Sequence, residues 1–172
     1  MGGKEPLPQL DDEDLRQVRQ IFDWVRTGEV APIASFLRQG LPANLLNEKG
    51  DSLLMLAAYH GHAEMVRLLL EAGADPELRN DRGQTPLAGA VFKGAEEVAR
   101  LLLDHGAQVD ARMADGKTAL MMAAMFNRIA LLEMLVARGA DPAVRDATGI
   151  SAAEVAAKMG AADAVAWLAA LR

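Results

Sequence analysis

Apolar residues in this chain fall into paired short blocks that return at a fixed interval of 33 residues. In one copy, Leu53-Leu54-Met55-Leu56-Ala57-Ala58 makes the first block, and Met65, Val66, Leu68 and Leu69 make the second at helical spacing. The pattern predicts a short inner helix over 52–59 and an outer helix over 63–71. Gly50, Gly83, Gly116 and Gly149 keep the 33-residue interval, as do Gly40, Gly73, Gly106 and Gly139, and Ala57, Ala90, Ala123 and Ala156. An internal period of this length organises the whole fold, so it is read before any single motif.

The register has a physical reading. Gly40, Gly73, Gly106 and Gly139 follow apolar runs such as Leu68-Leu69-Leu70, where a helix stops most easily on a left-handed residue. A third series, Gly28, Gly61, Gly94, Asn127 and Gly160, falls between the two helices of each unit. Its tight turn again favours positive φ, and Asn is the next residue after glycine to tolerate it. Ser52, Thr85, Thr118 and Ser151 recur at one position, each suited to capping an inner helix. The small Ala57 and Ala58 let neighbouring helices approach closely. No such pair buries its apolar face alone, so the units must stack. Asp11-Asp12-Glu13-Asp14 places negative charge at the start of the first helix, and Trp167 and Leu171 are expected to cover the last apolar face. The fold class is an all-α repeat solenoid of helix-turn-helix units with hairpin-like turns.

Composition narrows the function. Among 172 residues, 51% are hydrophobic but only 4% aromatic, which fits close-packed short helices built from Ala, Leu, Val and Met. There is no cysteine, so disulfides and thiolate chemistry are excluded. A net charge of −6 argues against nucleic acid, where phosphate attraction supplies most non-specific affinity. The segment Met1-Gly2-Gly3-Lys4-Glu5-Pro6-Leu7-Pro8 lacks the apolar stretch of a signal peptide. Pro6 stands where a myristoylation signal at Gly2 wants Ser or Thr. No run of apolar residues is long enough for a membrane span, and the cytoplasm is the expected compartment.

The stretches Gly50-Asp51-Ser52-Leu53-Leu54-Met55-Leu56-Ala57-Ala58-Tyr59-His60-Gly61-His62, Gly83-Gln84-Thr85-Pro86-Leu87, Gly73-Ala74-Asp75-Pro76 and Gly139-Ala140-Asp141-Pro142 resemble the ankyrin repeat. The likeness runs from about Asp12 to the C-terminus, in the style of small bacterial stand-alone members. It implies a flexible tail over 1–10 and one domain over 11–172. Within it lie a capping repeat over 11–46, three clear repeats over 47–79, 80–112 and 113–145, and a capping repeat over 146–172. One departure is plain. The signature histidine is replaced by Met55, Ala88, Met121 and Glu154. In the family that imidazole ties the turn to neighbouring backbone, so these turns must be held in another way, with lower local stability expected. The resemblance implies protein binding through the concave face and the turns, without naming a partner.

The ends of the inner helices, which the resemblance places on the concave groove, carry Tyr59, Phe92, Met125 and Lys158, followed by His60, Lys93, Phe126 and Met159. Exposed aromatics and methionines anchor interfaces, and the same side chains also suit packing between adjacent repeats. A second ladder, Arg79, Arg112 and Arg145, opens successive turns, with Arg82 and Lys117 nearby. Arginine clamps carboxylates in bidentate fashion, which suggests an acidic patch on the partner protein. Pairing with Asp81 or Asp115 is the structural alternative. A monomer is expected ahead of a homodimer built on the same apolar stripe.

Catalysis finds no support. His60 and His62, with Glu64 nearby, could suggest a metal site, but the Gly61-His62 pair is ordinary turn chemistry and no third ligand of matching geometry is visible. His105 precedes Gly106, a favourable place for a ring at a helix C-terminus. No phosphate loop, dinucleotide fingerprint or nucleophile elbow is present. The expectation is a non-enzyme without cofactor or metal, which regulates or inhibits one partner or assembles with itself.

Overall fold

The computed structural model describes residues 12–171. The expected tail over 1–10 and Asp11 lie outside the described residues. Within them the chain forms ten helices: α1 Asp12–Thr27, α2 Val30–Arg38, α3 Leu53–His60, α4 Ala63–Glu71, α5 Pro86–Lys93, α6 Glu96–Asp104, α7 Ala119–Met125, α8 Ile129–Ala137, α9 Ala152–Lys158 and α10 Ala162–Ala170. They build an all-α repeat solenoid in two rows. The odd-numbered helices pack in sequence as the inner row and the even-numbered ones as the outer row. The segments between one outer helix and the next inner helix form the projecting fingers.

Local chemistry sets the helix limits. Ser52 Oγ accepts the Met55 N–H at 3.0 Å, and the Thr85 and Thr118 hydroxyls accept from Ala88 and Met121 at 3.3 and 3.4 Å. Ser151 and Glu154 complete a reciprocal capping box on α9. Asn127, with φ 54°, does more than tolerate its turn. Its Oδ1 accepts the Ala164 N–H at 2.8 Å and its Nδ2 donates to Asp163 at 2.9 Å. It therefore caps the first turn of α10, a bond glycine cannot make.

Ala57, Ala90, Ala123 and Ala156 are wholly buried in the inner row, and Leu53, Leu69, Leu87, Leu102, Leu120 and Leu135 fill the space between the rows. At the C-terminal end Ala164 and Leu168 are buried, whereas Leu171 is exposed. Leu168, assisted by the partly buried Trp167, closes the last unit. The period of α10 explains the correction, since Ala164 and Leu168 are one helical turn apart.

Gly89 is a helical glycine facing the backbone of α3. A Cβ there would meet Tyr59 N at 3.4 Å and Met55 Sδ at 3.5 Å, both ordinary contacts. Gly89→Ala is expected to raise stability by about 0.5–1 kcal/mol through helix propensity. Urea denaturation checks this, and a lower midpoint would mean that the two inner helices cannot admit one methyl group.

Candidate functional site

The ends of the inner helices bring the predicted aromatics into one column. The rings of Tyr59 and Phe92 stack with centroids 5.5 Å apart, and Phe126 continues with its edge to Phe92, again at 5.5 Å. His60 abuts Tyr59 at 5.3 Å and stacks on His62 at 6.1 Å. Tyr59 and Phe92 are 44% exposed and Phe126 38%, so contact with neighbours leaves much of each ring open. Met159 is exposed as well, while Met125 is half-buried. Met125 occupies the register of Tyr59 and Phe92, yet Phe126 takes the place in the column. The cause is that α7 ends at Met125, one residue earlier than α3 or α5 end in their units.

The fingertip arginines have a structural task that their spacing did not disclose. Arg79 Nη1 donates to the carbonyl oxygens of Gly83 and of Arg112. Arg112 Nη1 donates to the Arg145 carbonyl at 2.9 Å, and Arg145 Nη1 to Gly149 O at 2.6 Å and Glu154 at 2.8 Å. Structure therefore gives a reason to gather these charges, because Arg79 and Arg112 each tie their finger to the next, and Arg145 ties the last finger to the start of α9. Their partners are not Asp81 or Asp115. Asp115 pairs with Lys117 at 2.6 Å. The guanidinium of Arg82 makes no hydrogen bond or ion pair within the described residues.

A second ladder escaped sequence reading. Asn44, Glu77 and Asp110 share one register, and their side-chain oxygens accept the backbone N–H groups of Asp75, Gln108 and Asp141 at 2.8, 2.8 and 3.0 Å. Mixed residue types hid it, although all three are hydrogen-bond acceptors at a 33-residue interval. These ties, with the arginines, hold the turns in which the expected histidine is missing.

Charge differs along the stack. Next to the column, burial lowers the pKa of His60 below the ordinary histidine value, and the positive charges of His62, Lys93 and Arg26 lower it further. His62 Nε2–H donates to the Arg26 carbonyl at 2.8 Å, which removes that nitrogen from metal ligation. No three metal-binding side chains converge among the described residues. His105 Nδ1–H donates to Leu101 O at 2.8 Å, at the end of α6.

In the last fingers three carboxyls sit below their ordinary values. The hydrogen bond from the Lys117 ammonium does this for Asp115, the Ile150 N–H and then the Thr148 hydroxyl for Asp146, and the Ser151 N–H and hydroxyl for Glu154. A depressed folded pKa means that the folded state holds its proton less tightly than the unfolded chain. The stabilisation is complete above the unfolded carboxylate range of about 4, and is lost as pH falls through the lower folded values. Asp146→Asn keeps an oxygen acceptor without the titration. It is expected to flatten the fall of Tm between about pH 5 and 3; parallel curves for variant and wild type would remove Asp146 from the acid response.

A family model for ankyrin repeats in three copies matches residues 25–113, and another, for ankyrin repeats in many copies, matches 102–156. A Pseudomonas aeruginosa protein designated an ankyrin repeat protein is 57% identical over 63 residues. That similarity spans 37% of this chain and 37% of the relative's own length.

Proposed function

Because this chain belongs to the ankyrin-repeat family, whose repeats are generally protein–protein interaction modules, we propose that it is a non-catalytic binding protein. It holds one partner protein along the Tyr59–Phe92–Phe126 column and the adjoining fingertips, and so regulates or inhibits that partner. One observation carries this reading. The inter-row core is closed, yet three aromatic rings in mutual contact remain about two-fifths exposed on the inner-helix ends. Packing between repeats needs no such opening, whereas an exposed contiguous apolar stripe supplies interface anchors. His60, Lys93, Met125 and Met159 border the column. Arg79, Arg82, Arg112 and Arg145 present guanidinium edges at the fingertips, where an acidic patch on the partner fits. No described helix is long and apolar enough to cross a membrane. The proposed encounter is one between a monomer of this chain and its partner in the cytoplasm.

The test is affinity capture by the tagged wild type and by a Tyr59/Phe92/Phe126→Ala variant. The variant is expected to lose its specific partner by tenfold or more, while circular dichroism and the melting midpoint stay nearly unchanged. A large loss of stability would instead make the rings part of the stack's packing. Capture of the chain alone, with sedimentation that depends on concentration, would favour homo-oligomeric assembly through the same stripe.

A further inference from the structure

The cations beside the column carry information about what lies on it. Lys93 passes over Gly61, its Cγ 3.4 Å from where a Cβ on that residue would stand, and the Arg128 guanidinium carbon lies 3.0 Å from the same point on Gly94. Lys158 takes the register of Tyr59 and Phe92 in the last unit and is exposed. None of the three has a carboxylate within ion-pair distance among the described residues, a condition they share with most of the chain's Lys and Arg side chains and one that leaves their charge open to a ligand. In a chain of 24 acidic side chains against 18 Lys and Arg, a cation nonetheless accompanies the column in each of three units: Lys93 adjoins Phe92, Arg128 lies two residues beyond Phe126, and Lys158 continues the register of the rings. Of the three, Lys93 also adds its charge to the burial that chiefly lowers the pKa of His60.

Ring spacing adds a second constraint. The column repeats at 5.5 Å, and one turn of an α-helix advances about 5.4 Å. Same-face residues of a strand are about 6.7 Å apart and would drift by about 2 Å over three rings. A helix laid along the column stays in register with it.

We propose that the column receives an acidic amphipathic helix of the partner protein. Its apolar stripe meets Tyr59, Phe92 and Phe126, and its flanking carboxylates meet Lys93, Arg128 and Lys158. This rests on the column being the binding face, and it adds to the fingertip arginines, of which Arg79, Arg112 and Arg145 are engaged with backbone carbonyls, a set of cations without an ion-pair partner.

Three fluorescent peptides of about 20 residues, long enough for several helical turns, test it on the full chain. One carries a leucine stripe flanked by glutamates, one the same stripe flanked by lysines, and one is the acidic sequence broken by central prolines. Fluorescence anisotropy is expected to show tightest binding for the intact acidic helix. That binding should weaken at least tenfold between about 50 and 300 mM salt. Lys93→Glu/Arg128→Glu/Lys158→Glu should lose the acidic peptide and gain the basic one, a gain that loss of folding cannot mimic. Tyr59/Phe92/Phe126→Ala should lose both. Binding that disappears with the rings but ignores the charge reversal overturns the acidic helix and leaves the column as the binding face. Binding that follows the charges and ignores the rings overturns both. Equal binding of the proline-broken peptide overturns the helical register. No binding by any peptide, or a column closed by self-association in sedimentation, also overturns the proposal, and the capture experiment then judges the column by itself.

Discussion

Asn80→Met is expected to destabilise the chain by about 2–4 kcal/mol, and Asp51→Gln in the same chain should recover a large part of that loss. Asn80 is buried and makes four side-chain hydrogen bonds. Its Oδ1 accepts the N–H groups of Arg82 and Gln84 at 3.1 and 3.0 Å, while its Nδ2 reaches Asp51 at 2.8 Å and the Gln84 side chain at 3.1 Å. Asp51 is buried too, with Asn47 as its further side-chain partner at 3.3 Å. Methionine is the instructive replacement, because Met113 occupies the same register one unit on, where the facing residue is Gln84. The fold thus accepts a thioether there when no carboxylate lies opposite. The penalty should come mainly from Asp51 left without its amide, since half of a buried polar pair is worse than none. A double-mutant cycle by urea denaturation at neutral pH measures the coupling. Additive effects would mean that the pair is solvated and of little weight.

Ala90→Leu is expected to cost about 1–3 kcal/mol and, more tellingly, to divide the unfolding of the chain. Ala90 is wholly buried in α5, which packs between α3 and α7. A leucine there must push the inner helices apart. The main helix contacts run only between neighbouring units, so no other surface compensates for a weakened joint, and repeat stacks sum local and nearest-neighbour terms. The two tryptophans of the chain, Trp24 in α1 and Trp167 in α10, stand in the terminal units. Single-tryptophan forms, made with Trp24→Phe or Trp167→Phe, report each end separately. Their urea midpoints should coincide with Ala90 in place and separate with leucine. Coincident midpoints in both would show that cooperativity survives a damaged central joint.

Much of the architecture is legible in the chain because it follows from local rules repeated at one interval. Stop glycines, Ser and Thr caps, and small alanines each meet a demand that one unit makes by itself, and helix α4 runs over the predicted 63–71. Contacts between units were harder to read. The arginine ladder pointed to carboxylate partners, whereas its acceptors are mostly main-chain carbonyls, which are the same at every residue and leave no mark in the sequence. The Asn44–Glu77–Asp110 series changes residue type at each step, and the Asp51–Asn80 tie occurs once. The aromatic faces were visible as spacing, but the replacement of Met125 by Phe126 depends on where α7 stops. Lys93 and Arg128 stand at different registers and reach neighbouring turns, so their gathering around the column needed three dimensions.

The ties between fingers also bear on how such a chain changes over generations. Arg79 reaches the carbonyl of Arg112 as Arg112 reaches that of Arg145, and Glu77 serves the amide of Gln108 as Asp110 serves that of Asp141. Excising 80–112 would set Arg79 against the Arg145 carbonyl and Glu77 against the Asp141 amide, the same kinds of group in the same places. The amide opposite Asp51 would be lost, with Met113 standing where Asn80 stood, and so would the exposed Arg67–Glu97 ion pair, where Ala130 takes the place of the glutamate. The molecule is in effect a short length of one-dimensional crystal, whose number of cells can change by whole steps while the bonds between cells keep their form.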